Sequence, residues 1–294
     1  MNKVIKPSFR LGTVFDSCVE AKQSENLKMR LRNIRTQITT ENRVFNRKGN
    51  ASLFFEMVQG NGIPPDVTKE EMEDLYESSF SQSKIVRKKY YDKIKLNAKD
   101  DICPYCAQRN VSTLDHYLPK SLYPKLVVNP LNLIPCCMEC NHIKREHYPT
   151  NNKEQIINPY FDGLIEDVWL VATIKKNGRK PPVLLFKAEP NNRISASLAE
   201  RIIWHFNKFK LAELYTSQSG RQLTGIAELL KREWEQGGEN NLKIALKEHY
   251  ITWSTINVNS WQSAMFAALV ESQWFISSGF KLCGEPRALV PMNQ

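Results

Sequence analysis

At 294 residues, with 41% apolar and 10% aromatic residues, the chain has enough hydrophobic material for one large or two modest cores, which excludes a disordered or fibrous protein. A formal net charge of +10 concentrates anionic partners around the surface, nucleic acid first among them. The longest purely apolar run, 264–270, is far below the ~20 residues that span a bilayer. Lys3, Lys6 and Arg10 are followed by no apolar stretch and no small-residue cleavage site, so the expected setting is the cytoplasm with no membrane association. There, 7 cysteines are not expected to form disulfides. Cys18 and Cys283 stand alone and read as buried or idle thiols, whereas Cys103, Cys106, Cys136, Cys137 and Cys140 crowd together as metal ligands do.

In chain order, residues 24–46 carry Leu27, Leu31, Ile34 and Ile38 at three- and four-residue steps with Arg30, Arg32 and Arg35 between them, the pattern of an amphipathic helix with a basic outer side. Gly60, Gly62, Pro64 and Pro65 break it. Thr68, with Glu71 three residues on, forms a capping box for a second long helix running to about residue 96. The later half of that helix interleaves Arg87, Lys88, Lys89, Lys93 and Lys95 with Tyr90 and Tyr91, a composition suited to phosphate and base contacts or, more simply, to a solvated basic face.

After the cysteine-rich stretch, residues 151–159 are polar and turn-rich and read as a boundary. Residues 168–175 and 182–186 then read as two strands around Asn177-Gly178, a hairpin. Helical spacing returns from residue 195 in three sets: Leu198, Ile202 and Phe206; Leu223, Ile226 and Leu230; Trp261, Met265 and Leu269. Trp204 and His205 fall in such a segment and are read as core and surface residues. The expected fold is α+β: a mainly helical chain with a basic N-terminal region at 1–100, a central module at 101–150, and a β-hairpin plus helices at 151–294.

Two cysteine pairs frame the centre, Cys103-Pro104-Tyr105-Cys106 and Cys137-Met138-Glu139-Cys140. Two-residue gaps let both thiolates of a pair reach one ion, and two such pairs complete a tetrahedral structural zinc. Cys136 leaves a three-residue gap to Cys140 and suits that spacing less well, so it is read as a buried neighbour. The segment between the pairs is longer than a zinc ribbon needs. Residues 112–118 read as a strand bearing Asp115-His116, 119–130 as a loop with Lys120 and Lys125, 131–136 as a second strand, and 138–147 as a short helix bearing Asn141.

The strings Leu114-Asp115-His116-Tyr117-Leu118-Pro119-Lys120-Ser121, Asn132-Leu133-Ile134-Pro135 and Cys137-Met138-Glu139-Cys140-Asn141-His142-Ile143-Lys144 resemble the HNH endonucleases, which use a ββα-metal fold. The resemblance covers only about residues 102–147. It implies His116 as general base, Asp115 and Asn141 as ligands of a catalytic Mg²⁺ or Mn²⁺, and Asn132 as the residue orienting the loop that holds His116. Independently, phosphodiester hydrolysis needs a base of near-neutral pKa and a hard cation, and carboxylate and amide oxygens match such a cation while thiolates take zinc. Many family members have histidine where this chain has Asn141, and His142 and His147 are alternative ligands.

Lys144 reads either as a phosphate contact or as an ordinary surface lysine. Together with Arg87, Lys88, Lys89 and Lys120 it completes the expected DNA-binding set. The layout is also similar to HNH subunits of bacterial anti-phage systems such as those of Septu type, which implies a partner ATPase. The competing reading is a non-catalytic zinc module acting as a nucleic-acid or protein adaptor. It leaves the Asp115-His116 pair and Asn141 without a purpose.

Overall fold

A computed structural model describes residues 4–60, 66–163 and 165–284; Lys3, Gly62, Pro64 and Pro65, invoked above, lie outside the described residues. The chain forms two compact units, Met1–Ile165 and Glu166–Gln294. Among the described residues no helix is long and apolar enough to cross a membrane.

The first unit opens with α1 (Leu11–Glu20), α2 (Glu25–Asn33) and α3 (Arg35–Asn50). The amphipathic stripe that suggests one helix over 24–46 is thus shared by two. Ser24 caps α2 by accepting from the Leu27 N–H, and the axis breaks at Ile34. The Thr68–Glu71 capping box forms as expected and starts α4 (Lys69–Asp74). The segment after it is not one helix. A π-helical stretch, Leu75–Phe80, leads to a turn, then α5 (Lys84–Val86), a second π-helical stretch, Arg87–Tyr91, and α6 (Asp92–Lys95).

These wide turns shift the register enough to bury both tyrosines expected to face solvent. Tyr90 is 2% and Tyr91 7% exposed. The Tyr90 hydroxyl meets Ser17 Oγ at 3.0 Å, and its ring takes Phe9 edge-on. They belong to the core, and no base can stack on them.

That core also receives Leu114, Val127, Val128 and Leu133 from the central segment. There, β1 (Thr113–His116) and β2 (Leu133–Cys136) pair antiparallel, from Thr113↔Cys136 to His116↔Leu133, and α7 (Met138–Lys144) follows. Four-residue strands cannot bury an apolar core by themselves, so the hairpin leans on the helices before it. The stretch at 151–159, with Tyr160 just after it, leans in turn on this hairpin and on the turn that follows α3. Tyr117 donates its hydroxyl to Ile156 O (2.6 Å), Tyr160 donates to Leu133 O (2.9 Å), and Gln155 Nε2 donates to Ser52 O (3.1 Å). The divisions expected at residues 100 and 150 both fall inside this unit.

In the second unit, β3 (Leu170–Asn177) and β4 (Lys180–Ala188) form the hairpin, with Gly178 in the left-handed region at φ 60°. α8 (Ala196–Lys208), α9 (Leu211–Ile256) and α10 (Trp261–Glu271) follow, and α11 (Gln273–Ser277) closes the described helices. The periodic residues Ile202, Phe206, Leu223, Leu230, Trp261, Met265 and Leu269 are buried, as their spacing requires. α9 is interrupted at Gly237 and Gly238, the second at φ 64°. The buried Asn259 side chain ties α10's approach to the hairpin by accepting from Trp169 N at 2.8 Å.

Candidate active site and cysteine cluster

The four cysteines assigned by spacing come together. Cys103, Cys106, Cys137 and Cys140 are all buried, and their sulfurs lie within 4.8 Å of one another. Tetrahedral zinc with bonds near 2.3 Å sets sulfurs about 3.8 Å apart, and Cys106 Sγ lies 4.0 Å from Cys137 Sγ. The set therefore fits one zinc ion.

Local backbone explains the convergence. Cys103 N donates to Arg109 O (2.8 Å) and Ala107 takes φ 49°, which folds the first pair into a tight knuckle; Arg109 N donates to Cys106 Sγ (3.5 Å). Cys137 caps α7, with its sulfur accepting from Cys140 N at 3.4 Å. In the metal-free cluster the thiols share protons: hydrogen bonds from Cys103 pull Cys106 and Cys137 towards thiolate, while burial holds the Cys103 thiol up and hydrogen bonds from Cys103 and Cys106 hold Cys140 up. Cys136 is also buried but stays outside the cluster, its thiol pushed up by burial and by nearby Asp115.

His116 ends β1. Its Nε2 lies 2.8 Å from Val127 O, so that nitrogen carries the proton and Nδ1 carries the lone pair. Nδ1 has no hydrogen-bond partner among the described residues. Tyr76 packs edge-on against the ring at 4.4 Å between centroids. Burial, with help from Lys120 and Lys144, pushes the imidazole pKa down to about 3, so it is neutral at neutral pH but a weaker base than the near-neutral histidine expected from the sequence.

The loop supplying Val127 is held by Asn132, which is fully buried. Its Oδ1 accepts from Leu118 N (2.8 Å), and its Nδ2 donates to Leu118 O (3.0 Å) and Leu126 O (3.3 Å). One amide thus pins the residue two past His116 and the residue just before Val127.

Asp115, 3% exposed, has both carboxylate oxygens engaged. Oδ1 pairs with Lys144 Nζ at 3.0 Å, and Oδ2 accepts from the Tyr105 hydroxyl at 2.9 Å. Lys144 is neither a phosphate contact nor a surface lysine. It is 1% exposed and also donates to His116 O (2.6 Å). The aliphatic stem and ammonium of α7's last residue are spent inside the fold, so nucleic acid has no access to them.

Asn141, half-buried, precedes Lys144 by three residues, which puts the two on neighbouring positions of one face of α7. Its side chain makes no hydrogen bond among the described residues. His142 is exposed beside Arg145, and His147 Nε2 donates to Glu154 O (3.0 Å), so both are directed elsewhere.

Of the basic residues, Lys88 and Lys89 are exposed. Arg87 lies over the Tyr91 ring at 4.4 Å, donates to Ser81 O (2.7 Å) and pairs with Asp92 (3.3 Å). Lys120 is paired with Glu77. Two participants escape sequence reasoning: Tyr105, hidden as the aromatic residue inside the first cysteine pair, and Val127, which acts through its carbonyl and so leaves no trace in residue type.

No protein-family model matches the sequence, and no solved structure is significantly similar to it. The chain is similar to Protein ea31 of Escherichia phage lambda, 28% identical over 165 residues, 55% of this chain and 55% of that protein. It is also similar to the Septu protein PtuB of Bacillus thuringiensis, 35% identical over 104 residues, 34% of this chain and 40% of that protein. The chain thus spans about half or less of the length of the curated relatives it matches.

Proposed function

We propose that this protein is a metal-dependent endonuclease of HNH type that hydrolyses DNA phosphodiester bonds and serves as an anti-phage effector beside a partner ATPase. The observation that carries the chemistry is the His116 Nε2–Val127 O bond, 2.8 Å long, inside a loop pinned by Asn132. It fixes one tautomer and turns the Nδ1 lone pair to the task of accepting a proton from water. The similarity to the Septu protein PtuB supports the defence role and the partner.

Asp115 and Asn141 offer a carboxylate and an amide oxygen, the donors that Mg²⁺ or Mn²⁺ prefers. Each Asp115 oxygen holds a single hydrogen bond and so keeps a further lone pair. When bound, such an ion stabilises charge on the leaving oxygen. Lys144 and Tyr105 hold the carboxylate in place, and Asn132 holds the loop. Lys88 and Lys89, with Arg87 and Lys120 nearer their own carboxylates, are the proposed phosphate contacts.

The test is plasmid nicking with Mg²⁺ or Mn²⁺, wild type against His116→Ala. The expected loss is about 10²- to 10⁴-fold, the range of a missing general base, with zinc content and melting temperature retained. Equal cutting by both proteins removes His116 from the mechanism and favours an adaptor with a zinc knuckle.

A further inference from the structure

The stretch that resembles a known family ends well short of the helices before it, yet one side chain against His116 comes from those helices. The Tyr76 ring lies 4.4 Å from the imidazole, centroid to centroid, with 67° between the planes. Tyr76 sits in the first π-helical stretch, Leu75–Phe80, where Ser81 N donates to Tyr76 O at 2.9 Å across a wide turn. Such turns are rare and frequently mark functional sites.

One hydrogen bond does not orient an imidazole. The His116 Nε2–Val127 O bond, 2.8 Å long, sets the tautomer. The second side-chain torsion of histidine is soft, however, and the ring can tilt about that bond. The direction of the Nδ1 lone pair therefore depends on what packs against the ring. Tyr76 does so at van der Waals distance and leaves no room for the imidazole to swing towards it.

Tyr76 is itself held on two sides. Phe80, fully buried, stacks on it one turn later at 5.5 Å with 22° between the planes. Lys120 Nζ stands 5.9 Å from the Tyr76 ring centre while pairing with Glu77, the next residue. Lys120 belongs to the loop that follows β1, so this ion pair ties the π-helical stretch to the segment that carries His116. The Tyr76 hydroxyl makes no hydrogen bond among the described residues, so what it offers His116 is the ring.

We propose that Tyr76 is a positioning residue for the base: its ring holds the His116 imidazole at the tilt that aims Nδ1 at the attacking water. The proposal rests on the general-base role given to His116 above, and it makes the π-helical stretch part of the working site. The test uses the full chain with Tyr76→Phe, which keeps the ring, and Tyr76→Leu, which removes it. Val86→Ala, in the same core, controls for lost packing, with melting temperatures recorded for all three.

In plasmid nicking with Mg²⁺, Tyr76→Leu is expected to lose about 10- to 100-fold in kcat with KM within about threefold of wild type, the signature of a misplaced group rather than of weakened binding. Tyr76→Phe and Val86→Ala should stay within about threefold in both. A second readout needs no cutting: long-range ¹H–¹⁵N spectra of the histidine rings, 5 in the chain, with His116 assigned by its absence in His116→Ala. Wild type and Tyr76→Phe should show one Nε2–H tautomer for His116, and Tyr76→Leu a mixture of the two.

The proposal is overturned, with the nuclease reading left in place, if His116→Ala is inactive while Tyr76→Leu keeps its kcat or loses only in KM. It is equally overturned by Tyr76→Phe or Val86→Ala falling as far as Tyr76→Leu, or by a His116 tautomer unchanged in Tyr76→Leu. A wild type that never cuts, whose His116 tautomer is nonetheless released in Tyr76→Leu, retires the nuclease reading and supports the positioning.

Discussion

Lys144 is the residue whose position changes most between sequence and structure. A lysine at the end of a short helix in a basic chain reads as solvent-facing, yet its ammonium sits on Asp115 Oδ1 and on His116 O with almost no exposure. It fills the role of a fixed cation against the end of β1. Removing one member of a buried pair strands the other charge, so Lys144→Met should destabilise the first unit by about 3–5 kcal/mol. Urea unfolding reads this, and a loss under about 1 kcal/mol would mean that Asp115 does not depend on it. The sequence motif singles out Asp115, His116 and Asn132, and the structure shows what each one touches: Tyr105 and Lys144, Val127 O, and Leu118 with Leu126. The Tyr105 hydroxyl and the Val127 carbonyl were not legible, because both act through tertiary contacts that spacing does not encode.

Among the elements, the two cysteine pairs show why ligand spacing is a strong signal. A two-residue gap is a local geometric condition, and the knuckle at Cys103–Cys106 and the cap at Cys137–Cys140 satisfy it with their own backbone hydrogen bonds. Zinc contributes folding free energy on the order of 10 kcal/mol in small domains. Cys103→Ser is therefore expected to lose the ion and lower the melting temperature. A variant retaining both its zinc and its melting temperature would show that the pair is misassigned.

The helix expected over 68–96 illustrates the opposite case. Its start was legible from the Thr68–Glu71 box, but helical periodicity assumes a constant rise, and the π-helical stretches Leu75–Phe80 and Arg87–Tyr91 rotate Tyr90 and Tyr91 inward. Tyrosine is at home in cores and on surfaces alike, so composition cannot distinguish the two.

Over the whole molecule, the polar stretch at 151–159 has the composition of a linker, yet it packs on the hairpin segment through Ile156 and, just beyond, Tyr160, and on Ser52 after α3 through Gln155. Buried polar residues that pair with backbone look the same in sequence as solvated ones. The net charge of +10 is a property of the whole chain, and only the lysines left outside ion pairs can release counterions from DNA. Replacing Lys88 and Lys89 by glutamine should weaken DNA binding and lower the slope of log affinity against log salt by about 2. An unchanged slope would turn that face towards a protein partner instead.

All seven cysteines are buried. As long as the fold is intact, an oxidant or alkylating agent meets no accessible sulfur, and the four ligands are further shielded while they share a metal. Chemical injury to this chain would therefore start with theft of the ion. The freed sulfurs, within 4.8 Å of one another, would then be near enough to cross-link in the wrong partnerships and trap the segment in a form that the returning metal could not restore.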